Sequence, residues 1–244
     1  MSSEAAPQVN NEMARLLVHV EGQTEEGFVN EILRPHLCTH HGYSSVNARL
    51  LGLEPGRDRR GGIRGWNTAR RAILNHLKND AHCLVTTMVD YYGMPQEGEK
   101  GWPGRAEADK VPFPKKAETV QEALRADIRK DFDSTRFVPY VMMHEFEGLL
   151  FSDCERFAEG IGRSDLANAF QLIRGRFNSP EEINDSPDTA PSKRVRVLVP
   201  EYQKPLQGLL AVEAITLDII RAECSHFRQW LERLEKGSGQ GNLT

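Results

Sequence analysis

Apolar residues along this chain follow two rhythms. Short runs that are apolar on both faces read as strands of a parallel sheet covered on both sides, and stretches with apolar residues at i, i+3, i+4 and i+7 read as helices. RLLVHV (15–20) is the first strand candidate. A helix is expected from Thr24 to about Leu37, where Phe28 and Ile32, and Val29, Leu33 and Leu37, recur at helical spacing. Pro35 should kink or end it. Further strands are expected over 44–51, 82–89 and 136–144, with helices from about Trp66 to Lys78 and from about Ala117 to Arg129 between them. Residues 93–116, punctuated by glycine and proline, read as a long irregular insertion. Ser152-Asp153 reads as the cap of a helix starting at Cys154.

The alternation of strand and helix predicts an α/β fold around a parallel sheet of about four strands. Residues 14–152 would form this core, and 153–236 a mainly helical C-terminal elaboration with a proline-rich loop at 182–194. Two amphipathic stripes are expected there: Leu206, Leu209, Val212, Ile215 and Ile219, then Phe227, Trp230, Leu231 and Leu234. Residues 1–13 read as a disordered lead-in and 237–244 as a flexible tail.

Three predicted strands run directly into an acid: Glu21, Asp90 and Glu145. In open parallel sheets, ligands bind beyond the carboxyl ends of the strands, so these acids are expected on one rim. Clustered carboxylates repel one another unless a positive charge sits among them, and hard divalent cations with oxygen ligands are the usual answer. The plainer reading of any one of them is a helix cap or a solvated loop residue.

Composition narrows the field. The chain has 244 residues, 39% hydrophobic and 27% charged, with a net charge of -4. It is not a polycation that coats nucleic acid, and any such contact needs a local basic patch. The loop GLEPGRDRRGGIRG and the helix after it supply one candidate in Arg57, Arg59, Arg60, Arg64, Arg70 and Arg71, with Trp66 among them to stack on a base. The alternative is a solvated charge cluster. The four cysteines, Cys38, Cys83, Cys154 and Cys224, form no CxxC pair, which argues for free thiols and a reducing compartment and against a cysteine zinc site. With no apolar run of membrane-spanning length and no secretory signal, a cytoplasmic location is expected. Neither a Walker loop nor a GxGxxG after a strand is present, so ATP hydrolysis by this chain alone is not expected.

VEGQTEEGFV, TTMVDYYGMP and HEFEGLLFSD, with INDSPDTAPSKR and CSHFRQWL, resemble the Toprim-like bacterial family catalogued as domain of unknown function 4276. The likeness runs from about Arg15 to Leu234. It implies a Toprim-like Rossmannoid sheet flanked by helices, and a site of the kind found in nucleases of the overcoming-lysogenization-defect type. By that resemblance Glu21 is the glutamate after the first strand, Glu25 the second acid of the nuclease subgroup, and Asp90 the first aspartate of an Asp-x-Asp pair. The pair's second position is Tyr92 here, so Glu145 or Glu147 would have to supply the missing oxygen, or the site is weak or inactive.

The implied chemistry is magnesium- or manganese-dependent cleavage of nucleic-acid phosphodiesters, DNA before RNA. Asp90 and Glu145 would be metal ligands, Glu21 a ligand or general base, and Glu25 a support for a second metal. Lys193 would meet the transition-state phosphate, against the plainer reading of a solvated lysine. His144 would orient a ligand or water, or serve structure alone. The resemblance further implies a role as the effector of a phage-defence system beside a separate ATPase of the ABC or AAA type. The competing expectation is a degenerate Toprim module that regulates such an ATPase. A third is a small-molecule phosphoryl hydrolase.

Overall fold

The computed structural model describes residues 14–51, 63–183 and 189–237. The expected lead-in and nearly all of the expected tail lie outside these residues, as do Arg57, Arg59 and Arg60. Four regions of strand pair in parallel in the order β2-β1-β3-β4, with β1 at Arg15–Val20, β2 at Ser45–Leu50, β3 at Cys83–Asp90 and β4 at Phe137–Val138. A fifth, β5 at Val141–Met142, also pairs with β3. The central strands β1 and β3 are apolar on both faces because helices cover both. This is the α/β parallel sheet that the strand–helix alternation predicts.

The predicted fourth strand is broken in two. Pro139 has no N–H to give the ladder. The Thr87 hydroxyl bridges the gap, accepting the Tyr140 N–H at 3.0 Å and donating to the Tyr140 carbonyl at 2.9 Å. The first predicted helix is also more elaborate than its periodicity. It runs as α1 (Gln23–Phe28), a π-helical turn (Val29–Leu33) and α2 (Arg34–His40). Pro35 sits in the first turn of α2, so the π turn absorbs the missing donor and the helix continues.

Helix α3 (Trp66–Asn79) leads into β3, the short α4 (Arg105–Ala108) lies in the irregular insertion, and α5 (Phe113–Arg129) precedes β4. After β5 come α6 (Glu147–Leu150), α7 (Cys154–Gly160) and α8 (Ala167–Arg174), then α9 (Pro191–Leu198), α10 (Lys204–Ile215), α11 (Leu217–Glu223) and α12 (Ser225–Gly237). As expected, the Asp153 side chain caps α7 by accepting the Arg156 N–H.

Two cores fill the two faces of the sheet. One gathers Val85, Val89 and Trp102 with α3 and α5. The other joins Val18, Val20 and Phe28 to Phe151, Val212, Phe227 and Trp230, so the C-terminal helices cover the sheet directly. Trp230 Nε1–H donates to Thr86 Oγ1 at 2.9 Å, and the Tyr43 hydroxyl to the Leu234 carbonyl at 2.7 Å. The expected stripe Phe227, Trp230, Leu231, Leu234 is the buried face of α12. The expected stripe from Leu206 to Ile219 needs correction. Thr216, at φ 78°, ends α10 and restarts the chain as α11, and Leu206 faces outward while Gly208, Ala211, Val212 and Ile215 are buried. Among the described residues, no helix is long and apolar enough to cross a membrane.

Candidate functional site

Because β1, β3 and β5 are parallel, the residues that follow them reach one edge of the sheet. Glu21 follows β1 and Asp90 ends β3. The Asp90 backbone N–H donates to Glu21 Oε2 at 3.3 Å. Gly93 makes room for that carboxylate, since a Cβ there would stand 2.9 Å from Glu21 Oε2 and 3.1 Å from Oε1. Gly22 does the same for the neighbouring acid, as a Cβ would stand 2.9 Å from Glu25 Oε2. Glu25 is buried in the first turn of α1.

The remaining acids come from the segment after β5. Glu145 Oε2 accepts the Ser192 N–H at 3.0 Å, from the first turn of α9. Glu147 opens α6 with 0% of its surface exposed. A single ammonium meets them: Lys204, the first residue of α10, places Nζ 2.9 Å from Glu147 Oε2 and 4.0 Å from Glu145 Oε1. Packing of α10 against α1, α6 and α7 delivers this lysine to the rim.

One cation does not neutralise five carboxylates. Burial raises the Asp90 carboxyl well above the aspartate range, and the charges of Glu21 and Glu25 push it further. Burial likewise raises Glu21, partly offset by the Asp90 amide, and Glu25, where the Glu21 charge adds to it. Glu147 is raised by burial to about 7 even with Lys204 drawing it down. Burial works against the charge on Lys204, yet Glu147 and Glu145 outweigh it and hold the ammonium charged. Asp90 Oδ1 and Glu147 Oε1 are buried with no hydrogen-bond partner among the described residues. Unpartnered buried carboxylate oxygens at a rim of surplus negative charge have the donor chemistry that a hard divalent cation takes. The set is not closed into a cage. Among the described residues, the one trio of metal-ligating side chains whose donor atoms all lie within 4.8 Å of one another is His36, His41 and Glu235, far along the fold. There Arg221 occupies both Glu235 oxygens at 2.8 and 2.9 Å, which makes that trio part of an ion-pair network.

At the position of the expected second aspartate, the Tyr92 ring stacks on His144 at 5.0 Å and 18°. His144 is buried, packs on Phe113 as well, and adopts a left-handed backbone at φ 76° that carries the chain round into Glu145. Burial lowers its imidazole to about 3, so it is neutral at ordinary pH, with both ring nitrogens lacking partners among the described residues. Lys193 is exposed on α9, next to Ser192, whose amide donates to Glu145.

Trp66 corrects the expectation of a base-stacking residue. It is buried, packs on Trp102 at 5.1 Å, and donates through Nε1 to Asp127 Oδ2 at 2.7 Å. Arg70 is held by the same Asp127 oxygen at 2.7 Å and by Asp131. The Arg64 carbonyl accepts the Trp102 indole N–H at 2.8 Å. Trp66 and Arg70 are thus built into the fold, while Arg71 is exposed on α3.

Sequence reasoning missed Lys204, the Ser192 amide and the role of Gly93. Only the lysine left a trace, as a basic residue directly before the proline of a helix start, a pattern far commoner on solvated surfaces. Comparison with curated proteins and with solved structures yields no match. A family model described as a domain of unknown function, DUF4276, matches residues 20–235, and that span places the chain in the DUF4276 family.

Proposed function

We propose that this protein is a divalent-cation-dependent phosphodiesterase acting on nucleic acid, DNA before RNA, in the cytoplasm. The observation that carries this reading is the excess of buried, unpartnered carboxylate at the rim, where Asp90, Glu21 and Glu25 are all held above their usual pKa. Such a site gains stability by taking up a cation in exchange for protons. Magnesium or manganese held by Glu21, Asp90 and Glu145 would activate a water and stabilise phosphoryl charge. The protein's own groups divide the remaining work. Lys204 offers a fixed ammonium to a phosphate oxygen, beside the role expected for Lys193. Glu147, with a pKa near 7 and an ion pair to Lys204, is placed to hold or release a proton near neutral pH. Glu25, from α1, would serve a second ion.

The test is cleavage of plasmid and single-stranded DNA with magnesium or manganese, alone and with a candidate ATPase, together with calorimetry of metal binding. Divalent-dependent cutting that disappears in Asp90→Ala supports the reading. A wild-type protein that takes up neither ion, and an Asp90→Ala variant that keeps full function in cells, would sink it.

A second reading rests on a specific observation: Tyr92 stacks on His144 where an aspartate is expected, and Lys204 already occupies the acids of α6 and its approach. It makes the chain a regulatory subunit of a separate ATPase in a defence system. Co-purification with that ATPase and a change in its turnover, unaffected by Asp90→Ala, would favour it.

A further inference from the structure

A cavity of about 460 Å³ lies at the open edge of the sheet, between β4–β5, α5, the turn at Ser179–Glu182 and α12. This falls within the size range of small-ligand sites. Its floor is apolar, with Val138, Pro139 and Met143 from the broken edge strand. Its walls carry two carboxamides, Gln121 and Gln229, and two guanidiniums, Arg125 from α5 and Arg233 from α12.

The charge on these walls is unusual. Arg125 and Arg233 come from different helices, face the same space, and make no hydrogen bond or ion pair among the described residues. They are close enough for Arg233 to add to the burial that draws the Arg125 guanidinium below its usual range, against the pull of Glu122 and Glu118 on its own helix. Three acids also line the walls: Glu118, exposed on α5, and Glu181 and Glu182, which are engaged by N–H donors. Glu181 accepts the N–H groups of His226 and Phe227 at 3.0 and 2.9 Å, at the start of α12. Glu182 accepts from the amide and side chain of Asn178 at 3.1 and 3.2 Å. Arg125, half-buried, and Arg233, exposed, offer two guanidiniums to a phosphate over the apolar floor, and the Gln121 amide N–H group and the Gln229 carboxamide offer hydrogen bonds to a polar ring edge.

We propose that this cavity binds a small phosphate monoester carried on a ring-sized body, the chemistry of a nucleoside monophosphate. The phosphate would lie between Arg125 and Arg233, and the body over Val138, Pro139 and Met143. This site is separate from the carboxylate rim and does not depend on the activity proposed there.

The experiment measures binding of adenosine, guanosine, cytidine and uridine 5′-monophosphates by calorimetry and thermal shift, with adenosine and inorganic phosphate as controls. The protein carries Asp90→Asn, so that the rim makes no metal-assisted contribution. The expected result is saturable binding of at least one monophosphate. That binding should be at least tenfold tighter than for adenosine or phosphate alone, and at least tenfold weaker in Arg125→Gln/Arg233→Gln. Circular dichroism should show the double variant folded, and Arg233→Gln alone provides a second, milder variant expected to weaken binding several-fold. No binding at millimolar monophosphate, binding equal in the Asp90→Asn parent and both arginine variants, or inorganic phosphate binding as tightly as every monophosphate would each overturn the proposal.

Discussion

Two charged regions of this molecule use the same residue types to opposite ends. Behind α3 and α5, Asp127 accepts from Trp66, Arg70 and Lys130, and Asp131 pairs with Arg70. Burial alone would raise Asp127, but its donors prevail and both carboxyls lie below the usual range. At the rim, five acids share one ammonium, and Asp90, Glu21, Glu25 and Glu147 all lie above it. The first arrangement is complete as it stands and serves the fold. The second is unbalanced, and under the proposed function a divalent cation would supply the missing charge. The balance of charge, more than the presence of charge, separates scaffold from site.

That contrast breaks most readily at Asp90. Asp90→Ala is expected to lower divalent-dependent cleavage by more than the roughly 100-fold loss that follows removal of a supporting residue around a metal ligand. The matching change behind α3, Asp127→Ala, should leave cleavage near wild type. Equal loss of activity in both variants would erase the distinction.

The next largest effect is on pH dependence. Glu147 moves from an ordinary 4.5 to about 7 on folding, so between these values the folded state binds more protons than the unfolded one. Its contribution to stability is therefore present in full below 4.5 and is lost as pH rises through about 7. Without divalent ions, Tm should fall by several degrees across that window, at about 2–4 °C per kcal/mol for a chain of this size. Glu147→Gln should flatten the trend, and magnesium should oppose it at the alkaline end. Thermal melts at pH 5 and pH 8 decide the point; a Tm that rises over the window would reverse the assigned sign.

Asp127→Ala should cost about 1–3 kcal/mol by stranding the Trp66 indole and the Arg70 guanidinium, measured by urea unfolding. Gly93→Ala should have the smallest effect. Its methyl group would push on Glu21 and weaken metal binding by an expected ten-fold or less, with little change in Tm. An unchanged metal affinity would show that Glu21 does not need the space that Gly93 leaves.

Much of the frame was legible in the chain. The parallel sheet follows from apolar runs with no polar face, and Glu21, Asp90 and Glu145 stand out because each interrupts such a run at its carboxyl end. The rest depends on partners distant in sequence. Nothing near Lys204 announces that α10 folds back onto α1 and α6 to place it among acids. Trp66 reads as available beside arginines and glycines, but Trp102 and Asp127 enclose it from residues far along the chain. Pro139 announces a break in a strand, yet only the fold shows Thr87 bridging it.

The left-handed backbone at His144 has an evolutionary corollary. Glycine would relax that conformation at no steric cost, so drift toward greater stability should pull this position toward glycine. Doing so would delete the ring that stacks on Tyr92 and packs on Phe113, at the residue directly before Glu145. His144→Gly therefore sets relief of the backbone against loss of buried ring packing beside Glu145.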